Sequence, residues 1–187
     1  FGQEVYSLPL EEAMARGLLT PVDYRLLTDE IQLTASLKAS GDRKISITEL
    51  NRKIFIPRRD EEIAKIIARN AAELENPRII IFCASIAHCQ HLTHFIPNSF
   101  AIHSGISDKE RAVRLEMFRQ GLIGTVLVVD AFNEGVDIPQ ANMVVFLRST
   151  VSRMIFLQQL GRGLRRSSGK DKVIVLDFVY NCERIKM

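Results

Sequence analysis

The sequence predicts an α/β protein: a mostly parallel sheet with helices on both faces. Three observations lead there. The runs 79–82, 125–129, 143–147 and 173–178 are almost continuously apolar, as strands buried on both faces are. Segments of helical period lie between several of them. Strands alternating with helices of this length imply βαβ units, whose crossovers cover a parallel sheet.

The elements follow in chain order. Residues 8–16 read as a short helix ended by Gly17, with Leu10, Ala13, Met14 and Leu18 near helical spacing. Val22, Tyr24 and Leu26 alternate with polar residues and predict a strand. Residues 36–46 are polar around a Gly41-Asp42 turn and read as a loop or a weakly packed helix edge. Residues 60–74 predict a helix with an acidic first turn and Ile63, Ile66 and Ile67 on its buried face. After Asn76-Pro77 the alternation is regular. It gives strand 79–82, helix 86–95, strand 100–102, then helix 107–119. Ser107 and Glu110 open that last helix as a capping box, Val113, Met117 and Phe118 point inward, and Gln120-Gly121 ends it. Strands 125–129 and 143–147, helix 152–160 and strand 173–178 complete the series.

Composition narrows the function classes. The 187 residues are 47% hydrophobic and 25% charged, which is ordinary for a soluble domain and excludes disordered or fibrous chains. A net charge of +3 permits an anionic partner without demanding one. No apolar run is long enough for a membrane-spanning helix, so no membrane partner is expected. The start at Phe1 has no basic, apolar leader and no initiator Met, so a piece of a longer chain is expected. Cys83, Cys89 and Cys182 form no disulfide pattern and fit a reducing, cytoplasmic setting.

Two segments carry chemistry. In Gln158-Gln159-Leu160-Gly161-Arg162-Gly163-Leu164-Arg165, the two arginines three apart share a helical face. Neighbouring guanidiniums repel unless an anion sits between them, and phosphate matches their planar fork. The alternative is a solvated basic helix end. Residues 128–139 start in an apolar strand and crowd Asp130, Asn133, Glu134 and Asp137 into one loop around Gly135. Carboxyl ends of strands are where open α/β sheets hold ligands, and Asp137 suits a ribose hydroxyl. A solvated acidic loop is the alternative. His88, Cys89, His91 and His94 read as a solvated helix face, with a metal site as the rival.

The ordered set resembles the second, carboxyl-terminal RecA-like domain of superfamily 2 helicases, over about 77–178. Gln158, Gly161, Arg162 and Arg165 match motif VI. Asp130, Gly135, Asp137 and Pro139 match motif V. Residues 79–85 match motif IV, and His103, Gly105, Glu110 and Arg111 match a His-x-Gly segment followed by Glu-Arg. The wording around 132–139 and 158–166 is most similar to restriction-type, DNA-directed helicases.

The resemblance implies roles. Arg162 and Arg165 face the γ-phosphate of ATP across a cleft from a first RecA-like domain, Arg165 as arginine finger, and Gln158 senses the same phosphate. Gly135, Asp137 and Gly161 lie by the nucleotide. Ser85, Ser104, Gly105 and Asp130 contact nucleic acid. Val129 stands where the family often has a phosphate-binding Thr.

The chain has no Gly-x-x-x-x-Gly-Lys-[Ser/Thr] loop. Asp60-Glu61-Glu62-Ile63 mimics an Asp-Glu-x-x box without a buried strand before it, and reads as a helix start. The phosphate loop and the magnesium ligands of Mg-ATP are thus expected on the first domain. Residues 1–58 are expected to connect from it, partly packed on the sheet, and 59–187 to form the second domain. The implied function is one half of an ATP-dependent helicase or translocase on DNA. An RNA helicase domain and a non-catalytic RecA-like adaptor are the alternatives. A Rossmann dehydrogenase is a weaker one, lacking Gly-x-Gly-x-x-Gly after a strand.

Overall fold

Each neighbouring pair of strands in the sheet runs parallel. The computed structural model describes residues 19–27, 57–129, 140–148 and 170–179. Their elements are β1 (Val22–Leu26), α1 (Pro57–Ala71), β2 (Ile79–Phe82), α2 (Ile86–Leu92), β3 (Ser99–Ile102), α3 (Asp108–Gln120), β4 (Thr125–Val128), β5 (Met143–Phe146) and β6 (Val173–Asp177). The sheet order is β1-β6-β5-β2-β4-β3. The helices predicted at 8–16 and 152–160 and the loop at 36–46 lie outside the described residues.

Handedness sets the layers. The step from β2 to β3 crosses the sheet in one direction and the step from β3 to β4 returns. Right-handed crossovers therefore put α2 and α3 on opposite faces. The step from β1 to β2 runs the same way as β2 to β3, so α1 joins α2, and those two helices pack together. Strands β2, β4, β5 and β6 are buried along their whole length. Their near-continuous Ile, Val and Phe content is what burial on both faces selects. Phe82 and Phe146 stack at 5.3 Å where β2 and β5 end.

Both sheet edges are secured by side chains. On β1, the Tyr24 hydroxyl donates to Asp177 Oδ2 at 2.6 Å. Arg25 bonds Asp23 and Glu73 at 2.6 Å each, and Lys172 stands 3.6 Å from both carboxylates. The Arg25 hydrogen bonds hold both carboxyls below their ordinary range. These groups are largely solvated, so the pairs are screened and contribute little to stability. On β3, Val129 N–H donates to Ile102 O and Thr125 N–H to Asn98 O, so Ala101 must face the open edge. Arg114 donates to the Ala101 carbonyl, bonds Glu110 and lies over the Phe100 ring at 5.1 Å to its centroid. An edge so blunted resists strand addition.

Several boundaries and one helix face differ from the sequence expectation; α1 ends at Ala71 rather than at 74. Helix α1 starts earlier, with Pro57 in its first turn, where a missing N–H costs nothing. Helix α2 stops at Leu92 rather than at 95: the Thr93 hydroxyl donates to Gln90 O, and His94 and Phe95 turn with i→i+3 bonds ahead of Pro97. On α3, Phe118 is buried, but Val113 is 52% exposed and Leu115 is buried in its place. Arg111 and Arg114 share the inward side with Leu115 and Phe118, which long aliphatic stems permit. Gly121 closes α3 at φ 84°, where a Cβ would fall 1.9 Å from Arg78 Nη2.

Candidate nucleic-acid interface

All strands being parallel, their carboxyl ends share one edge. The ladder runs past the strand ends there. Cys83 N–H donates to Val128 O at 2.9 Å, Val129 N–H to Ile102 O at 3.2 Å and Leu147 N–H to Phe82 O at 2.9 Å. The chain therefore leaves β2 toward Ser85, β3 toward Ser104 and Gly105, and β4 toward residue 130. These are three adjacent strands.

Ser85 caps α2 in extended conformation, and its Oγ accepts from His88 N–H at 3.2 Å. Among the described residues its hydroxyl proton has no acceptor. After β3, Gly105 N–H donates to His103 Nδ1 at 3.0 Å. A Cβ at Gly105 would come within 3.0 Å of that same nitrogen, so the turn is shaped for glycine. Ser104 and Gly105 are exposed. Ser107 Oγ then accepts from Glu110 N–H at 3.2 Å, the predicted cap of α3. The fold thus brings three of the predicted nucleic-acid residues to one edge. The other predicted site residues, Asp130, Gly135, Asp137, Gln158, Gly161, Arg162 and Arg165, lie outside the described residues.

A buried cluster escaped the sequence reading. Asp60 is fully buried, with His91 Nδ1 2.7 Å from its Oδ2 and His88 Nε2 3.3 Å from its Oδ1. The expected solvated helix face of α2 is corrected: His88 is completely buried and His91 half-buried, and only His94 is exposed. The signal was spacing: Asp60, Ile63 and Ile67 fall on one stripe of α1, and His88 and Leu92 on one stripe of α2. Cys83 and Cys89 are buried beside them, and burial, with the Cys89 thiol next to it, pushes the Cys83 thiol well above its ordinary range. Cys182 lies outside the described residues. Among the described residues, no group of three His, Cys, Asp or Glu side chains could hold a metal ion.

A cavity of about 720 Å³ sits at the opposite, amino edge, lined by Glu73, Arg78, Arg119, Gln140, Lys170 and Lys172. Burial lowers the Lys170 amine to about 8. Its mix of both charges and its place at the amino edge separate it from Ser85, Ser104 and Gly105 at the carboxyl edge.

The fold defines the class: a RecA-like helicase domain built on a six-stranded parallel sheet with helices. The model of the helicase conserved C-terminal domain matches residues 58–167, more than half of the chain, and the chain belongs to that family, within superfamily 2. It is 34% identical over 107 residues to the DNA 3'-5' translocase XPB2 of Sulfurisphaera tokodaii, covering 56% of this chain and 23% of that protein. It is 26% identical over 141 residues to the DEAD-box ATP-dependent RNA helicase 15 of Arabidopsis thaliana, covering 73% and 30%. A solved fragment assigned as the HsdR subunit of a type I restriction enzyme from Vibrio vulnificus superposes with a TM-score of 0.76 at 17% identity, over 100% of this chain and 37% of that one. The chain spans less than a third of the length of the curated relatives it matches. Among the described residues, no helix is long and apolar enough to cross a membrane.

Proposed function

We propose that the intact protein is an ATP-dependent helicase or translocase acting on DNA. Residues 59–187 serve as its second RecA-like domain and 1–58 as the connection from the first. The observation that carries this reading is the convergence of Ser85, Ser104 and Gly105 on adjacent strand ends, next to the turn that starts motif V. Serine hydroxyls and backbone N–H groups there suit phosphate oxygens, which fix a strand's position without reading its sequence. Asp130, which follows β4 in sequence, adds a contact in this reading.

ATP lies between the two domains in this reading. Arg162 and Arg165 neutralise charge on the γ-phosphoryl group as water displaces ADP, Gln158 reports its presence, and Gly135, Asp137 and Gly161 border the nucleotide. The magnesium ligands belong to the first domain. Cleft closure on ATP and reopening after hydrolysis move the protein along its strand.

DNA is favoured by the likeness to the XPB2 translocase and the HsdR fragment. RNA is the second reading, because a DEAD-box RNA helicase matches over more of the chain. The test is ATP hydrolysis by the intact protein with duplex DNA and with RNA. Greater stimulation by duplex DNA is expected. Stimulation by RNA alone supports the second reading, and no nucleic-acid response with either polymer supports a non-catalytic adaptor.

A further inference from the structure

A groove of about 420 Å³ runs along the open edge of β3, between α2 and α3, a size common for small-ligand sites. One end of it is His103 and Gly105, in the turn whose Ser104 the strand-binding reading assigns to phosphate. The Phe100 ring, with the Arg114 guanidinium over it, supplies a flat apolar wall.

The groove offers both donors and acceptors. Arg114 occupies the Ala101 carbonyl and Ile106 N–H the His103 carbonyl, which hinders an added β-strand, while the Ser99 carbonyl stays on the open edge. Gly105 donates to His103 Nδ1, so with Nδ1 accepting, Nε2 is the ring's donor nitrogen. The Ala101 N–H faces the same edge. Gln90, exposed on α2, has a side-chain amide with no hydrogen bond among the described residues. A flat ring wall with donors and acceptors beside it describes a nucleobase, which has π-faces and edges that carry both kinds of group. Stacking on such a wall tolerates any sequence.

We propose that this groove holds one unstacked base of the single strand whose phosphates sit at Ser104 and Gly105, with Phe100 and Arg114 as the stacking surface and Gln90 and His103 as donors to the base edge. It rests on the strand-binding reading above and adds a base contact to it. Bound strand would then be gripped at backbone and base together, and slip less between ATP cycles.

The test is binding of the intact protein to two fluorescent ten-nucleotide strands, oligothymidylate and an abasic strand of the same length, followed by anisotropy. Wild type is expected to prefer the strand with bases by about 5- to 100-fold, as one stacked base provides. Phe100→Leu and Gln90→Ala should each reduce that preference several-fold and leave abasic binding within about twofold. Gln90 is exposed, so its variant keeps the fold if Phe100→Leu does not. A preference unchanged in both variants overturns the base groove while the backbone contacts stand. Failure of wild type to bind either strand overturns the strand-binding reading and the groove with it.

Discussion

Arg165→Ala in the intact protein is expected to remove most nucleic-acid-stimulated ATP hydrolysis while leaving the fold intact. Charge on the transferring phosphoryl group must be neutralised, and an arginine supplied across an interface contributes on the order of 10³–10⁵ in rate in phosphate-loop enzymes. That corresponds to roughly 4–7 kcal/mol at about 1.4 kcal/mol per tenfold. A solvated arginine at a helix end contributes only about 0.3–1 kcal/mol, and to stability rather than rate. The two readings of the motif thus differ in size and in which quantity moves. Arg165→Lys should not restore turnover, because an ammonium lacks the planar fork. Arg166→Ala, adjacent but outside the motif spacing, should have a milder effect. Steady-state hydrolysis at saturating nucleic acid decides it. Arg165→Ala activity within about threefold of wild type, about 0.6 kcal/mol, would mean that the finger is another residue.

Asp60→Ala is expected to destabilise the fold measurably. The carboxylate is fully buried and holds His91 at 2.7 Å and His88 at 3.3 Å across the packed pair α1 and α2. Removing the carboxylate deletes the 2.7 Å hydrogen bond to His91 and the close contact to His88, and a lost partner at a buried polar group typically costs about 1–3 kcal/mol. Denaturant melts of wild type and variant would show it as a lower midpoint. Asp60→Asn should cost less, since an amide keeps one acceptor for one imidazole. A midpoint shift of under about 1 kcal/mol for Asp60→Ala would mean that water reaches the cluster and replaces the carboxylate.

The strands were readable because a parallel sheet covered by helices demands little beyond continuous apolar runs, and 79–82, 125–128, 143–146 and 173–177 have them. The order of strands was not readable: nothing local in 22–26 says that it pairs with 173–177, some 150 residues away. Helix ends shifted by three residues where capping by Thr93 and Pro57 outweighed hydrophobic pattern. The face of α3 was misread because arginines at 111 and 114 occupy inward positions that an apolar count assigns to Val113. Ser85, Ser104 and Gly105 were found through motif order, and the fold then places them on one edge. Asp60 and His88 were passed over because their polar type suggested solvent, although their spacing already put each on the buried stripe of its helix. Asp177, buried at the end of β6 and bonded by Tyr24 and the Val179 N–H, was hidden in the same way inside an apolar run.

The claim at the centre is that this chain holds half of an ATP site. It is tested most directly by measuring ATP hydrolysis with Mg and DNA for the 187-residue chain and for the intact protein side by side, with a cooperative thermal melt of the chain recorded to establish that it is folded. The account predicts turnover by the intact protein and background turnover by the folded chain, which has no phosphate loop. Turnover by the folded chain that tracks its concentration through successive purification steps would contradict it.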